Sequence, residues 1–277
     1  MQNAGLAALN LNWRYLAFNV HPDNVSAAIE GAKVMGFIGL NLTVPHKVLA
    51  FGLVDALDES ARLWGTVNTI RFEAQDEHGA WKALHEFVEP PAQVRSHGFN
   101  TDADAISRAL REDLGLDLAG ARILVLGTGG AGRTAALKLA SERIAEIFLI
   151  NRSQPKAEAL ASELRQHYPQ VKVTLGYPAG KVNLLLNATS LGLKSEDPLP
   201  FDKKQFRLQQ ASAVYDMIYR PPETPLLAAA RASGCRTANG LGMLLYQGAR
   251  ALEIWTGRPA PIQEMRQALE NNVYGQS

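Results

Sequence analysis

The stretch Ile123-Leu124-Val125-Leu126-Gly127-Thr128-Gly129-Gly130-Ala131-Gly132-Arg133 decides the fold of this 277-residue chain. The apolar run 123–126 reads as a buried parallel strand. Gly127, Gly129 and Gly132 follow in G-x-G-x-x-G spacing, and an Ala/Leu-rich segment to about 141 reads as a helix. In such a unit the first glycine permits a tight turn. The second lets backbone approach a pyrophosphate, and the third lets helix pack closely on strand. The phosphate then lies on the helix N-terminus, where free N–H groups and the helix dipole favour an anion. A second apolar run, 147–150, ends in Asn151-Arg152-Ser153. Strand, glycine turn, helix and strand together predict a dinucleotide site; the plainer reading is a glycine turn without a nucleotide.

The end of the second strand selects the cofactor. An NAD site places an acid there, on the ribose 2′-hydroxyl. This chain has Asn151, with Arg152, Ser153 and Lys156 beyond it. Arg152 can pair with a 2′-phosphate and Lys156 can add charge, which favours NADP. Further strands are expected at 171–175, 182–186, 213–217 and 236–238. The sequence Asn187-Ala188-Thr189-Ser190-Leu191-Gly192 lies at the C-terminal end of one of them.

Composition narrows the class. Hydrophobic residues make up 47% and charged residues 20%, with a formal net charge of +1. That balance is ordinary for a globular protein and gives no reason to expect nucleic acid or a membrane surface as partner. One cysteine, Cys235, excludes an intrachain disulfide, and the six histidines show no metal-binding spacing. Neither a long apolar span nor a basic leader is visible, so a cytoplasmic enzyme is expected. The length suits two domains.

In the first hundred residues, 13–20 reads as a strand, 24–35 as a helix and 37–40 as a short strand. Asn41-Leu42-Thr43-Val44-Pro45-His46-Lys47 follows, with Pro45 suited to a first helical turn. Residues 51–63 read as an amphipathic helix, 74–80 as a hairpin tip and 86–95 as an irregular excursion. Lys47 is either a solvated lysine or a general acid/base. Asp102 is either a helix N-cap or the partner of Lys47, since a Lys–Asp pair couples two titrations. Asn68 and Gln247 are candidate ligands for substrate hydroxyls, and each has a structural alternative.

Taken in order, the motifs are Asn41-x-Thr43-x-Pro45-x-Lys47, Gly65-x-Val67-Asn68-Thr69, Asn100-Thr101-Asp102, Gly127-x-Gly129-Gly130-Ala131, Asn151-Arg152-Ser153, Asn187-Ala188-Thr189-Ser190-x-Gly192, Asp216-Met217-x-Tyr219-x-Pro221 and Gly240-x-x-Met243-x-x-x-Gln247. This series resembles the shikimate dehydrogenase family and spans nearly the whole chain. The resemblance implies an α/β fold of two domains with a cleft between them. A substrate-binding domain would comprise 1–102 and 240–277, and a doubly wound Rossmann NADP-binding domain 103–239. It implies NADPH-dependent reduction of 3-dehydroshikimate to shikimate in aromatic amino-acid biosynthesis. Lys47 and Asp102 would then be catalytic. Thr43, Asn68, Asp102, Tyr219 and Gln247 would bind substrate. Gly127, Thr128, Gly129, Gly130, Ala131, Asn151, Arg152, Ser153, Lys156, Thr189, Met217 and Gly240 would line the cofactor. The partner would be the small-molecule substrate, and the assembly a monomer or homodimer.

The family usually opens with a strand and a Ser-x-Ser-Pro-x-x-His-Asn motif whose serines bind the substrate carboxylate. This chain begins at Met1-Gln2-Asn3, matching the tail of that motif with Gln2 in the histidine position. The expectation is that the true start lies upstream. The alternatives are a truncated, non-catalytic NADP-binding homologue and, within the class, a quinate/shikimate dehydrogenase. A methyltransferase using the glycine loop fits poorly with Asn151-Arg152-Ser153.

Overall fold

The computed structural model describes residues 1–89 and 91–275. Pro90, within the irregular stretch expected at 86–95, and the last two residues of the expected substrate domain lie outside the described residues. The chain divides into two compact units, one of Met1–Asp102 with Gln247–Leu269, the other of Ala103–Tyr246 with the chain from Glu270 onward.

The first unit carries α1 (Gln2–Ala8), α2 (Val25–Val34), β1 (Gly39–Asn41), α3 (His46–Leu49), β2 (Ala56–Leu57), α4 (Glu59–Trp64), β3 (Thr69–Gln75), β4 (Trp81–Ala83) and β5 (Arg95–Phe99). The sheet order is β1-β3-β5-β2, with β4 also pairing β3. Strand periodicity divides the side chains of β3 between two faces. Ile70, Phe72 and Ala74 are fully buried and pack with Val25, Ile29, Ala50, Ala61 and Val67. Arg71 and Glu73 point the other way, opposite His97 and Arg95 of β5.

Two expectations fail here. Residues 13–20 form no strand: a strand needs a neighbour for its backbone groups, and no described strand pairs with this segment. The Asn3 side chain instead serves Tyr15, accepting from its N–H at 2.7 Å and donating to its C=O at 3.0 Å. Residues 51–63 are not one helix. Asp55 accepts from Ser96 N–H at 2.7 Å, and Asp58 caps α4 through Ser60 N–H at 2.9 Å. Aspartate side chains that bond nearby backbone in this way compete with helix continuation. Between them, Ala56 and Leu57 pair in parallel with His97 and Gly98.

The second unit carries α5 (Asp102–Leu114, from Ala103 onward), β6 (Arg122–Leu126), α6 (Gly130–Ser141), β7 (Glu146–Ile150), α7 (Gln154–His167), β8 (Lys172–Leu175), β9 (Val182–Asn187), β10 (Ala211–Asp216), α8 (Pro225–Ala232) and β11 (Arg236–Asn239). Its sheet runs β11-β10-β9-β6-β7-β8, and every pairing is parallel. The strand order reverses between β6 and β9, the switch point at which doubly wound sheets hold their ligands. The glycine turn leaves β6 there, and the Asn187–Gly192 turn leaves β9 there. Leu124 and Leu126 of β6, Leu185 of β9 and Val214 of β10 are fully buried in one core with Phe148 and Phe206. Two helices, α9 (Leu241–Thr256) and α10 (Ile262–Tyr274), complete the chain and each contributes to both units. No described helix is long and apolar enough to cross a membrane.

Glu73 is the most tightly held charge of the first unit. Its side chain is 1% exposed and accepts from Arg71, from Arg95 Nη2 at 2.7 Å and from His97 Nδ1 at 3.0 Å. Burial works against its ionisation, but the hydrogen bonds from His97, Arg71 and Arg95, with the charge of Arg71, outweigh it and hold the carboxyl at about 2. A depressed carboxylate contributes stability above its unfolded value, near 4.5, and loses it as pH falls toward about 2. The shift corresponds to roughly 3 kcal/mol. Urea unfolding should show Glu73→Gln destabilised at pH 7, with the gap to the parent narrowing steadily between pH 4.5 and 2; a gap independent of pH would contradict this assignment.

Candidate active site and cofactor site

In the first unit, three loops meet through backbone hydrogen bonds. Leu42 N–H donates to Asn68 C=O at 2.8 Å, Val67 N–H to Lys47 C=O at 2.9 Å, and Asn68 N–H to Phe99 C=O at 3.0 Å. The motifs around residues 41–47, 65–69 and 99–102, far apart in sequence, are thereby held as one piece. Lys47 lies in α3, which starts directly after Pro45. Asp102 opens α5, so its carboxylate sits where the helix dipole favours negative charge.

These two side chains meet. Lys47 Nζ donates to Asp102 Oδ2 at 2.6 Å, with the side chains 23% and 16% exposed. The pair is shielded but reachable. Asp102 is fixed from behind: its N–H donates to Asn100 Oδ1 at 3.0 Å, and Asn100 Nδ2 donates to Thr66 Oγ1 at 2.7 Å.

Asn68, expected to bind substrate hydroxyls, is 1% exposed, and its amide bonds within the protein. Its Nδ2 donates to Thr101 Oγ1 at 2.9 Å, and its Oδ1 accepts from Thr101 N–H at 2.8 Å and Thr69 Oγ1 at 3.1 Å. The amide therefore clamps the residue before Asp102. Asn41 extends the network, donating to Thr69 Oγ1 at 3.0 Å while accepting from Tyr15 Oη at 3.1 Å. The sequence alone assigns no separate tasks to Asn41, Thr66, Asn100 or Thr101. Their signal was the density of Asn and Thr in the three motifs, which is what a buried polar network requires.

Thr43 is exposed beside this cluster, and its C=O accepts from Lys47 N–H at 3.3 Å. Gln247 lies on the α9 segment of the same unit and is half-buried. Tyr219 belongs to the other unit, where it is 37% exposed and its C=O accepts from Tyr274 Oη at 2.8 Å.

In the second unit the glycine turn has the properties a pyrophosphate site needs. Gly127 has φ +94°, and Cβ atoms added at Gly129 or Gly130 would meet nothing within 4 Å, so the backbone there borders open space. A Cβ on Gly132 would instead lie 2.0 Å from Gly127 O, which shows how closely α6 packs on the turn. Ala131 is exposed in the first turn of α6. The Thr128 hydroxyl is buried without a hydrogen-bond partner.

Asn151 ties this turn to the end of β7. Its Oδ1 accepts from Thr128 N–H at 3.1 Å, and its Nδ2 donates to Ser153 C=O at 2.9 Å. Ser153 precedes α7, whose start carries Arg152 just outside it and Lys156 in its first turn. Both cations are exposed, with no ion pair or hydrogen bond among the described residues. On the other side of the switch point, Thr189 Oγ1 donates to Asn187 Oδ1 at 2.7 Å, Met217 N–H donates to Asn187 C=O at 2.9 Å, and Gly240 N–H donates to Ile218 C=O at 3.3 Å. An open glycine turn, an unpartnered buried hydroxyl and two unpaired cations beyond the second strand fit a dinucleotide carrying a 2′-phosphate.

The comparisons with known proteins agree along the chain. Residues 1–70 match the shikimate dehydrogenase substrate-binding domain, residues 109–189 the shikimate/quinate 5-dehydrogenase model, and residues 240–270 the shikimate 5′-dehydrogenase C-terminal domain. A shikimate dehydrogenase (NADP+) of Methanopyrus kandleri is 37% identical, over 97% of this chain and 89% of that protein. A crystal structure of shikimate dehydrogenase in complex with NADP+ superposes with TM-score 0.80 at 34% identity, covering 98% of this chain and 89% of that one. The ligand-free 5-ketofructose reductase of Gluconobacter sp. strain CHM43 superposes with TM-score 0.79 at 32% identity, covering 98% and 92%. On this evidence the chain belongs to the shikimate dehydrogenase family.

Proposed function

We propose that this protein is an NADP-dependent shikimate dehydrogenase that reduces 3-dehydroshikimate to shikimate and runs the reverse reaction when shikimate is supplied. The observation that carries the reading is the Lys47–Asp102 pair, 2.6 Å apart and held by the Asn68–Thr101 clamp, in a chain of this family. The hydride chemistry is supplied by the nicotinamide when it is bound. The chain's own task is to orient the ketone and to place one proton.

As negative charge develops on the carbonyl oxygen, the Lys47 ammonium gives that oxygen a proton, and in the oxidising direction the lysine amine takes it back. Asp102 aims the ammonium and accepts from a neighbouring substrate hydroxyl through its remaining lone pairs. Asn68 has a second amide proton beyond the one given to Thr101, which can reach a ligand oxygen. Thr43, Gln247 and Tyr219 supply further polar contacts. A polyol held by such groups is separated from analogues lacking a hydroxyl, because the unmatched polar groups would be left unpaired. In the second unit, Gly127 to Ala131 receive the pyrophosphate and Arg152 and Lys156 the 2′-phosphate, while Thr189, Met217 and Gly240 border the remainder of the cofactor.

The test is direct. Purified protein is given shikimate and NADP, and reduction of the cofactor is followed by absorbance. Quinate, NAD and, in the reverse direction, 5-ketofructose with NADPH serve as comparison arms. Turnover should be fastest with shikimate and NADP, and Lys47→Ala should lower kcat by about a hundredfold or more. Preference for another substrate, or undiminished turnover in the variant, would overturn the reading.

The cofactor choice has its own test. Arg152→Ala with Lys156→Ala should weaken NADP binding by roughly tenfold or more, the scale of lost charge-assisted hydrogen bonds, and leave NAD binding nearly unchanged. Isothermal titration of both cofactors on the parent and the double variant reads this out. Equal losses for the two cofactors would contradict it.

A further inference from the structure

At the C-terminal ends of β9 and β10, Asn187 and Asp216 are neighbours in register, and both are fully buried. Asp216 Oδ1 accepts from Asn187 Nδ2 at 3.0 Å and from Ile218 N–H at 3.1 Å, and Oδ2 accepts from Thr224 Oγ1 at 2.7 Å. No cation is among these partners. Thr224 is also buried and caps α8 by accepting from Leu227 N–H at 3.3 Å. Burial pushes the Asp216 carboxyl upward, against the pull of these hydrogen bonds. A carboxylate placed here costs stability unless its lone pairs are filled, and they are filled by groups that lead into two loops.

Asn187 passes the constraint on. Its Nδ2 also donates to Leu191 C=O at 3.1 Å, and its Oδ1 accepts from Thr189 N–H at 3.0 Å and Thr189 Oγ1 at 2.7 Å. Thr189 Oγ1 in turn accepts from Leu191 N–H at 3.1 Å. The turn after β9 is thus fixed from within, and its outer side meets the glycine turn. A Cβ on Gly127 would lie 2.9 Å from Thr189 Cγ2 and 3.0 Å from the Ala188 carbonyl. The backbone at 217–218 is held by the same two residues, through Met217 N–H to Asn187 C=O and Ile218 N–H to Asp216.

We infer that Asp216 is a positioning residue for cofactor binding: through Asn187, Thr224 and Ile218 it sets the turn that carries Thr189 against the glycine turn and fixes the backbone of Met217 at Asn187. It touches no cofactor itself. The inference rests on the proposed NADP site in this unit. It also explains why an acid occupies a strand end where an apolar residue would cost less to bury.

Calorimetric titration with NADP tests this on the full chain, at a temperature where circular dichroism shows each variant folded. Asp216→Ala removes every acceptor and should raise the NADP Kd about tenfold or more. Asp216→Asn should stay within about threefold of the parent, because its amide oxygen can face Ile218 and Asn187 while its NH2 donates to Thr224. The KM for NADP should rise with Asp216→Ala more than the KM for shikimate. If Asp216→Ala does not fold, Thr224→Val, which keeps the shape and removes one donor, should raise the NADP Kd by about threefold or more. A folded Asp216→Ala, or failing that a folded Thr224→Val, with the parent's Kd would overturn the inference. Absence of NADP binding by the parent protein would instead refute the cofactor assignment, so the two failures are distinguishable.

Discussion

The candidate site of the first unit is built on a single ion pair, Lys47 to Asp102, and on what holds it in place. A lysine has a long flexible stem, and an exposed ion pair contributes little once the entropy of fixing two side chains is counted. Here the geometry is set beforehand. Asp102 stands at a helix start, its N–H bound to Asn100, and the residue before it is clamped by Asn68. The Lys47 main chain is bound to Val67 in the same cluster. Asn68, Thr69 and Thr101 are buried polar residues that satisfy one another, so loosening any of them leaves another unpaired in the interior. The network's worth lies in that mutual dependence: it converts three loops from distant parts of the sequence into one rigid seat for Lys47, the proposed proton-transfer group.

The second unit solves a similar problem by different means. Its strand order reverses between β6 and β9, and the turns leaving those two strands border the proposed cofactor site. The β6 side uses absence of side chains, with open space at Gly129 and Gly130 and close helix packing at Gly132. The β9 side uses the buried hydrogen bonds that Asn187 makes and that Asp216 accepts. Asn151 joins the first side to the end of β7, occupying with an amide the place where a ribose-binding acid would stand. That leaves the adjoining cations, Arg152 and Lys156, to determine the charge that the site prefers.

Much of this was legible in the sequence. The strand–glycine–helix pattern at 123–141 was readable because each glycine answers a separate geometric demand. The Lys47 and Asp102 motifs could be paired because both stand at element ends where ligands gather. Other parts required the folded chain. Residues 13–20 are rich in aromatic and aliphatic side chains as a strand is, but composition alone does not say whether a neighbour is present to pair with them. Residues 51–63 have helical spacing, yet Asp55 and Asp58 divert their backbone into a short strand and a capped turn. The role of Asn68 was hidden for a related reason. Sequence pattern does not reveal that the amide of an Asn beside a strand also bonds Thr101 and Thr69, which lie together only in the folded chain.

The measurement that bears most directly on the central claim is a double-mutant cycle at Lys47 and Asp102. Turnover of shikimate with NADP would be compared for the parent, Lys47→Ala, Asp102→Ala and the double variant. Residues that act as one unit are strongly non-additive. The account predicts that the double variant is slower than Lys47→Ala by no more than about threefold, because Asp102 acts chiefly by aiming the lysine. If the two losses multiplied in full, the residues would be working independently, and the ion pair would not be the device on which this site depends.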